Sequence, residues 1–195
     1  VKVELLGSNI ILGQAILAAP TEAWMEYPFQ ITPSAATDDG SLRITLLGAG
    51  TILIDQVSLM GQDALDVGGY RPDLLAAVQG LRPPIIRWPG GCYASAYFWK
   101  DGIGRQHEHH KYPISLWDDQ DTNSYGTDEF LRMCEAIGAE PLLVINTGLL
   151  NGTCGVGIPY KLTPEQYLQD ALDWIEYCNG PEDSPWGAKR AANGT

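Results

Sequence analysis

The chain has 195 residues, of which 45% are apolar and 18% are charged, and its formal net charge at pH 7 is −12. This composition is typical of a globular protein, and the length suits one or two domains. The negative charge argues against nucleic acid and against an anionic membrane as partners, since both would repel it. The sequence contains no run of eighteen apolar residues, the length needed to span a membrane. Its 4 cysteines are too sparse for a disulfide scaffold.

Alternating apolar and polar residues dominate the first third of the chain. The alternation runs through residues 42–46 and again through 52–59, and turn residues occupy 38–40 and 48–50. Period-two alternation buries one face of a strand and exposes the other, as in an antiparallel sandwich. We therefore expect residues 1–62 to form a β-sandwich segment. A structural role is favoured over a sugar-binding role, because a fold alone does not confer a site.

Helical periodicity replaces this alternation from residue 70 onwards. A first helix is predicted from Pro72 to about Gly80. The segment 84–87 follows it as a buried strand, with an apolar run at 84–86. Four apolar positions of the helix define its expected buried face, namely Leu74, Ala77, Val78 and Leu81.

Two more helices and one more strand are predicted further along the chain. The second helix has Thr127 as its N-cap and ends at Gly138, and the apolar run 141–145 then forms a strand that precedes Asn146. The third helix is capped by Thr163, with Pro164 at its first position and Gln166 completing a capping box. The buried faces are expected to carry Phe130, Cys134 and Ile137 in the second helix, and Leu168, Ala171, Leu172, Ile175 and Cys178 in the third. Alternating helices and buried strands predict an α/β fold with a parallel sheet.

The first predicted strand ends in a segment that combines charge, glycine and aromatic residues. Arg87 stands at its C-terminal end, Pro89-Gly90-Gly91 forces a sharp turn, and aromatic residues crowd between Tyr93 and Trp99. A charge at the carboxyl end of a strand, beside a glycine turn and aromatic rings, suits a sugar site in an α/β barrel. A tight turn over an ordinary core, with Arg87 in a structural salt bridge, explains the same residues equally well.

Several short motifs in one order carry a resemblance to a known family. Arg87-Trp88-Pro89-Gly90-Gly91 and Asp101-Gly102-Ile103-Gly104 resemble the signature of glycoside hydrolase family 51, the α-L-arabinofuranosidases. The resemblance covers roughly residues 70–195 and continues through Leu116-Trp117 and the segments 123–130, 138–141 and 174–180. It implies that residues 63–195 are the first βα units of a (β/α)8 TIM barrel, and that residues 1–62 belong to a jelly-roll, carbohydrate-binding-module-like domain. A complete barrel takes about 250 residues, so we expect the chain to be part of a longer product.

The resemblance also implies an activity whose catalytic groups are not expected here. It implies a retaining hydrolase that removes α-L-arabinofuranosyl residues from arabinoxylan or arabinan, with two carboxyl groups about 5–5.5 Å apart. The predicted strands end in Arg87 and Asn146 instead of carboxylates. In the family, the acid/base glutamate and the nucleophile would both follow residue 195. We therefore expect no catalytic residue in this chain, and no activity from these 195 residues alone.

Four residues are expected to bind substrate by resemblance. Arg87 would order the −1 subsite with its permanently charged, planar fork, and Trp117 would pack an indole face on a sugar ring, with core packing as its alternative. Cys92 stands where many members have an asparagine that bonds to arabinose hydroxyls, and a thiol is a poor substitute. Asn146, at a strand end, completes the set.

Other interpretations stay open beside this one. The residue at Cys92 and the aromatic stretch before Trp99 would also suit a β-1,4-glucanase or xylanase of the same family, and a non-catalytic carbohydrate-binding protein is a further alternative. The segment 107–110 contains three histidines but no fourth ligand at useful spacing, so a polar loop is favoured over a metal site. No cofactor is implied.

The expected partners are a plant cell-wall polysaccharide or oligosaccharide and the remainder of the barrel. Neither nucleic acid nor a membrane is expected to bind. The oligomeric state, including a homo-oligomer, is left open. The compartment is open too, with a secreted or periplasmic location favoured over a cytoplasmic one.

Overall fold

The computed structural model describes residues 1–110, 112–114, 119–148 and 162–194. The chain divides into two compact units, Val1–Val57 and Ser58–Thr195. The division at residue 62 expected from the sequence stays a prediction. Within the described ranges, no helix is both long and apolar enough to cross a membrane.

The first unit is built on a three-stranded antiparallel sheet. Its central strand β1 (Lys2–Gly7) lies between β2 (Ile10–Ile16) and β3 (Ser41–Thr45). Ser8 and Asn9 join β1 to β2 with φ angles of 48° and 66°, which is the backbone that a two-residue type I′ hairpin requires. The side chains of Val3 and Leu6 are buried, so the core of this unit follows its central strand.

The central strand also buries a charge. Glu4 is 1% exposed, and its carboxylate lies 2.8 Å from Arg43 Nε and 2.9 Å from Lys2 Nζ. Arg43 stands opposite Glu4 in the β1–β3 register. The hydrogen bond from Arg43, followed by that from Lys2, lowers the pKa of Glu4 to about 2. Glu4 therefore stays ionised in the folded protein well below its ordinary pKa.

The alternating segment 52–59 does not form the predicted strand. Residues 46–61 contain neither helix nor strand, and the side chains of Leu53, Ile54 and Val57 are exposed. A strand needs a neighbour for its backbone hydrogen bonds. Among the described residues, β1 already has a partner on each side and no further strand pairs with this segment. The strand prediction was therefore wrong here.

The second unit contains the parallel strands that the alternation predicted. Strands β4 (Ile85–Trp88) and β7 (Glu140–Leu143) are parallel neighbours, with Arg87 opposite Leu142. Helices α1 (Gln62–Leu65) and α2 (Pro72–Leu81) precede β4, α3 (Thr127–Ile137) precedes β7, and α4 (Pro164–Asn179) and α5 (Pro185–Ala192) follow it. Short 3-10 helices occupy Gly91–Ser95, Trp99–Gly102 and Gln106–Glu108, and an antiparallel pair is formed by β5 (Tyr112–Ile114) and β6 (Asp119–Asp121).

Aromatic residues form the core of the second unit. The rings of Trp99 and Trp174 stack with centroids 5.7 Å apart and planes within 3°. Trp88 of β4 stacks on Phe130 of α3 with centroids 5.3 Å apart. Tyr177 of α4 is fully buried beside them. These ring contacts therefore pack the strand β4 against α3 and α4.

The buried face of α4 is not the one predicted. Tyr167, Trp174 and Tyr177 point into the core, whereas the aliphatic stripe of Leu168, Leu172 and Ile175 is at least half exposed. Large aromatic side chains bury more apolar area than leucine or isoleucine, so they decide which face turns inward. The predicted cap is confirmed, since Thr163 Oγ1 accepts a hydrogen bond from Gln166 N and Gln166 Oε1 accepts one from Thr163 N.

Helices α2 and α5 also differ from expectation. No residue of α2 is fully buried, and its half-buried positions include Leu75 and Val78, whereas Leu74 and Leu81 are exposed. Helix α5 was not predicted. Ser184 caps it by accepting a hydrogen bond from Gly187 N, and a proline occupies its first turn.

Lys100 ties the 3-10 helix Trp99–Gly102 to α4 and to the start of α5. Its ammonium group lies 3.0 Å from Asp170 Oδ1, also contacts Asp173, and sits 4.8 Å from the ring centroid of Trp186. The same 3-10 helix donates a hydrogen bond from Trp99 Nε1 to the carbonyl of Asp170. Residues 89–104, which follow β4, are called the wall after β4. These contacts hold that wall against α4 and α5.

Candidate functional site

Arg87 lies on the open face of the parallel pair. Along β4, Ile86 and Trp88 are half-buried while Ile85 and Arg87 are exposed, because successive side chains point to opposite faces of a strand. Leu142, opposite Arg87 on β7, is 49% exposed. Within the described ranges no carboxylate pairs with Arg87. The guanidinium therefore faces an uncovered sheet surface near the carboxyl ends of two strands.

The turn after β4 brings the backbone close to Arg87. The peptide bond between Trp88 and Pro89 is cis, and Gly91 has a φ of 58° that favours glycine. A Cβ at Gly90 would lie 3.5 Å from Arg87 Nη2, so the guanidinium folds over the turn. Cys92, which follows, is disulfide-bonded. The sequence interpretation did not anticipate this bond, and Cys92 consequently has no S–H group to donate to a sugar.

The aromatic stretch after the turn belongs to the core and does not form a sugar platform. Tyr97, Phe98 and Trp99 are each at most 5% exposed. Tyr93 is half-buried, and its hydroxyl donates a hydrogen bond to the carboxylate of Asp121. Burial, followed by this hydrogen bond, raises the pKa of Tyr93 well above its ordinary value. The sequence suggested that these rings lie beside a sugar site, whereas the structure buries Tyr97, Phe98 and Trp99 in the core.

Asp121 is held by hydrogen bonds at the end of strand β6. It ends strand β6, accepts the hydroxyl of Tyr93, and accepts a hydrogen bond of 2.8 Å from Asn123 N. The charge run 118–121 concealed this role, because a cluster of acidic residues is also typical of an exposed loop.

Asn146 lies near the same edge of the sheet as Arg87. It follows β7, and parallel strands place their carboxyl ends together. Asn146 is 7% exposed, its Nδ2 donates to the carbonyl of Tyr97 at 3.3 Å, and its Oδ1 accepts from Gly148 N at 2.9 Å. Its amide thus ties the end of β7 to the wall after β4. Substrate binding by Asn146 stays a prediction, and Trp117 lies outside the described residues.

A buried polar cluster at the N-terminus of α3 supports this wall, and sequence reasoning missed it. Thr127 and Asp128 are both fully buried. Thr127 was expected to cap the helix, but Gly126 is the cap residue, and the Glu129 carboxylate accepts its N–H at 2.8 Å. Thr127 Oγ1 instead accepts a hydrogen bond from Trp174 Nε1 at 3.1 Å. Glycine at 126 is required because a Cβ there would lie 1.7 Å from the carbonyl oxygen of Gly102.

His109 is a structural residue of the same region. It is 4% exposed, and its two ring nitrogens lie 2.6 Å from the carbonyl oxygen of Asn123 and 3.3 Å from that of Gly104. Asn123, itself buried with a φ of 50°, donates from Nδ2 to the carbonyl of Asp101. Across the described part of the chain, no group of three or more histidine, cysteine or acidic residues is placed to hold a metal.

The first unit contains an open depression of about 470 Å3. Ala15, Ile16, Leu17, Ala18 and residues 25–30 line it, and Glu26 is the single carboxylate among them. Ligands of α/β proteins bind instead outside the carboxyl ends of parallel strands. The edge of the parallel pair in the second unit is the better candidate site.

Comparison with known proteins points to one group of enzymes. The family model described as "Alpha-L-arabinofuranosidase 1 domain" matches residues 77–195. Alpha-L-arabinofuranosidase C of Emericella nidulans is 38% identical over 134 residues, which cover 69% of this chain and 23% of that protein. Alpha-L-arabinofuranosidase 1 of Arabidopsis thaliana is 30% identical over 96% of this chain and 28% of its own length. The chain therefore spans about a quarter of the length of these relatives.

Solved structures agree with the sequence comparison. The α-L-arabinofuranosidase of Thermotoga maritima, solved as an arabinose complex, is 37% identical with a TM-score of 0.54, over 65% of this chain and 23% of that chain. The arabinose-bound α-L-arabinofuranosidase MgGH51 matches 99% of this chain and 33% of its own with a TM-score of 0.70. Its identity of 19% makes this second likeness one of fold alone.

Proposed function

The chain belongs to the α-L-arabinofuranosidases of glycoside hydrolase family 51, and we propose that the complete protein removes α-L-arabinofuranosyl residues from arabinoxylan or arabinan. The proposed reaction is hydrolysis with retention, in which one carboxylate attacks the sugar and a second donates and accepts the proton. The part played by these residues is to build one wall of the sugar site.

We propose that residues 63–195 are the first βα units of a (β/α)8 barrel, with β4 and β7 as its first two strands. The exposed face of this pair supports the proposal. Ile85 and Leu142 are 57% and 49% exposed beside Arg87, and apolar side chains on a sheet face need a covering layer. In a closed barrel this face would point inward. The proposed β-sandwich of residues 1–62 is supported by the antiparallel sheet β2–β1–β3.

One observation carries the functional proposal, namely the position of Arg87. Active sites of such barrels lie at the carboxyl ends of the strands, and Arg87 is the next-to-last residue of β4, with an exposed side chain folded over the Gly90 turn. Neither of the two described parallel strands carries a carboxylate at its C-terminal end. The catalytic pair is therefore proposed to come from other strands of the complete barrel.

Arg87 would act by orienting the sugar and by stabilising the charge of a catalytic carboxylate. Its five N–H donors form a rigid fork that is always protonated, and this fork suits a sugar hydroxyl or a catalytic carboxylate. A guanidinium beside a carboxylate favours its ionised form, which a nucleophile needs. Asn146 and the wall after β4 would keep this fork aligned through the bond from Asn146 Nδ2 to the Tyr97 carbonyl.

The test is the Arg87→Ala variant of the complete enzyme, assayed on nitrophenyl α-L-arabinofuranoside. We expect kcat/KM to fall about a hundredfold, the scale of a lost preorganised contact of ~2.7 kcal/mol. Arg71→Ala is the matched control, because Arg71 is exposed and pairs with Asp73 on the surface, and it should leave the kinetics unchanged. Normal kinetics in a folded Arg87→Ala protein would overturn the role of Arg87.

A second assay on carboxymethyl cellulose separates the proposal from a β-1,4-glucanase of the same family. The long aromatic cleft that would favour a glucanase is not supported, since Tyr97, Phe98 and Trp99 are core residues. Activity on cellulose alone would replace the arabinofuranosidase proposal, and binding of arabinan without hydrolysis would indicate a non-catalytic carbohydrate-binding protein.

A further inference from the structure

Asp128 is a fully buried carboxylate that joins three parts of the second unit. It is the second residue of α3 and is 0% exposed. Its Oδ2 accepts a hydrogen bond of 2.9 Å from Gly104 N, and its Oδ1 accepts one of 2.7 Å from Tyr177 Oη in α4. Asn193, directly after α5, donates from Nδ2 to the same tyrosine oxygen at 2.9 Å. The carboxylate also sits in the first turn of α3, where the helix dipole favours negative charge.

The Gly104 peptide is held on both sides. Its N–H bonds to Asp128, while His109 Nε2 lies 3.3 Å from its carbonyl oxygen. Gly104 has a φ of 90°, so the backbone here takes a conformation that glycine tolerates and other residues rarely adopt. Such a turn needs contacts from other residues to hold it in one geometry. The hydrogen bond from Gly104 N to the carboxylate of Asp128 is the charged contact among them.

Asp128 thereby fixes the far end of the wall that begins at Arg87. The chain leaves β4 at Trp88, passes through two short 3-10 helices, and ends this excursion at Gly104. Strand pairing with β7 holds its beginning, the bond from Asn146 to the Tyr97 carbonyl holds its middle, and Asp128 holds its end. A shift of about 1 Å in a site wall costs roughly a hundredfold in rate.

We propose that Asp128 is a positioning residue for catalysis, acting through the Gly104 turn on the wall after β4 and so on the neighbouring Arg87. The inference rests on the proposed arabinofuranosidase function. Asp128 does not touch substrate, and its effect is to keep the wall in the geometry that the transition state needs. Its charge matters because a carboxylate accepts from Gly104 and Tyr177 together.

An amide at this position cannot replace the carboxylate. Asn has one acceptor oxygen, so its NH2 group would face either the Gly104 N–H or the Tyr177 hydroxyl. If the NH2 group faced Tyr177, the tyrosine oxygen would have to accept from it while already accepting from Asn193 Nδ2, and the hydroxyl proton would lose its acceptor. Asp128→Asn therefore removes one of the two bonds while keeping the side-chain volume.

The experiment compares three variants of the complete enzyme. Asp128→Asn removes the charge. Tyr177→Phe removes the donor to Oδ1 together with the acceptor of Asn193, and leaves the Gly104 bond. Asp73→Asn is the matched control. Asp73 is likewise the second residue of a helix, α2, but its side chain is exposed. Hydrogen exchange of the peptide that contains Gly104 is followed by mass spectrometry, and kcat and KM are measured on nitrophenyl α-L-arabinofuranoside.

We expect Asp128→Asn to speed exchange at the Gly104 turn by about tenfold or more and to lower kcat by roughly ten- to a hundredfold with KM changed less than about threefold. Tyr177→Phe should lower the melting temperature with a much smaller change in kcat, and Asp73→Asn should change neither exchange nor kinetics.

Unchanged protection of Gly104 in a folded Asp128→Asn protein would overturn the proposal, and so would equal losses of kcat in Asp128→Asn and Tyr177→Phe, which would indicate a merely structural residue. A wild-type enzyme that is inactive on the arabinofuranoside would instead sink the proposed function. In that case the exchange measurement still decides whether Asp128 holds the turn.

Discussion

Replacing Gly126 by alanine should destabilise the second unit through a single methyl group. Gly126 has a φ of −116°, which alanine adopts without strain. The added Cβ, however, would lie 1.7 Å from the carbonyl oxygen of Gly102 and 2.7 Å from its carbon. Carbon and carbonyl oxygen rarely come closer than about 3.3 Å, so the Gly102 turn must retreat by roughly 1.6 Å.

The retreat would disturb contacts that depend on the turn. Over-packing costs about 1–3 kcal/mol, and each strained hydrogen bond, such as that from Gly104 N to Asp128, adds about 0.5–1.5 kcal/mol. A total of about 3 kcal/mol corresponds to a fall in melting temperature of roughly 6–12 °C for a protein of about 150–250 residues, and to a smaller fall in the longer complete protein. The assay is a thermal melt of the complete protein followed by circular dichroism.

Gly80→Ala is the matched control for this substitution. Gly80 lies inside α2, and nothing stands within 4 Å of its added Cβ. Alanine there should stabilise the helix by about 0.5–1 kcal/mol, so the two variants should shift the melting temperature in opposite directions. Equal melting temperatures for Gly126→Ala and the wild type would refute the reasoning that the approach of Gly102 to Gly126 is tight.

Three further predictions test other contacts. Because the pKa of Glu4 falls to about 2 in the folded state, its ionisation stabilises the fold above about pH 4.5 and this contribution is lost as the pH falls towards 2; Glu4→Gln should lower the melting temperature at pH 7 and flatten its decline over that acid range. Lys100→Met should lower stability by about 1 kcal/mol in urea unfolding, and 1 M salt should shrink the difference, since the ammonium pairs with two carboxylates. Trp174→Phe should cost about 2 kcal/mol, because it leaves the buried Thr127 hydroxyl without its indole donor, and an unchanged urea midpoint would contradict this.

The sequence was informative wherever a local rule sets the structure. The capping box at Thr163 and the glycine that ends α3 at 138 both appear as predicted, because each depends on a few neighbouring atoms. The parallel pairing of β4 and β7 also followed from helix–strand alternation.

The sequence misled where tertiary contacts compete. In α4 two apolar stripes were available, and packing against Trp99 selected the one with Trp174 over that with Leu172. The aromatic residues around Tyr97 were expected beside a sugar site, but they are buried in the core. Of the expected site, Arg87 lies near the C-terminal end of β4, and its binding role stays a prediction. The contacts of Asp128 join it to Gly104 and Tyr177, which are 24 and 49 residues away. No local pattern signals such a contact.

Arg87 and Trp88 point to opposite faces of β4, so the number of residues in this strand is critical. One side chain turns to solvent and its neighbour stacks on Phe130, and β4 has only four residues in which to absorb an error. A single inserted or deleted residue within this strand would exchange the two faces, driving a permanent cation into the aromatic packing and an indole into the opening. Homologues and engineered variants should therefore differ in length within the connecting loops while keeping β4 free of insertions.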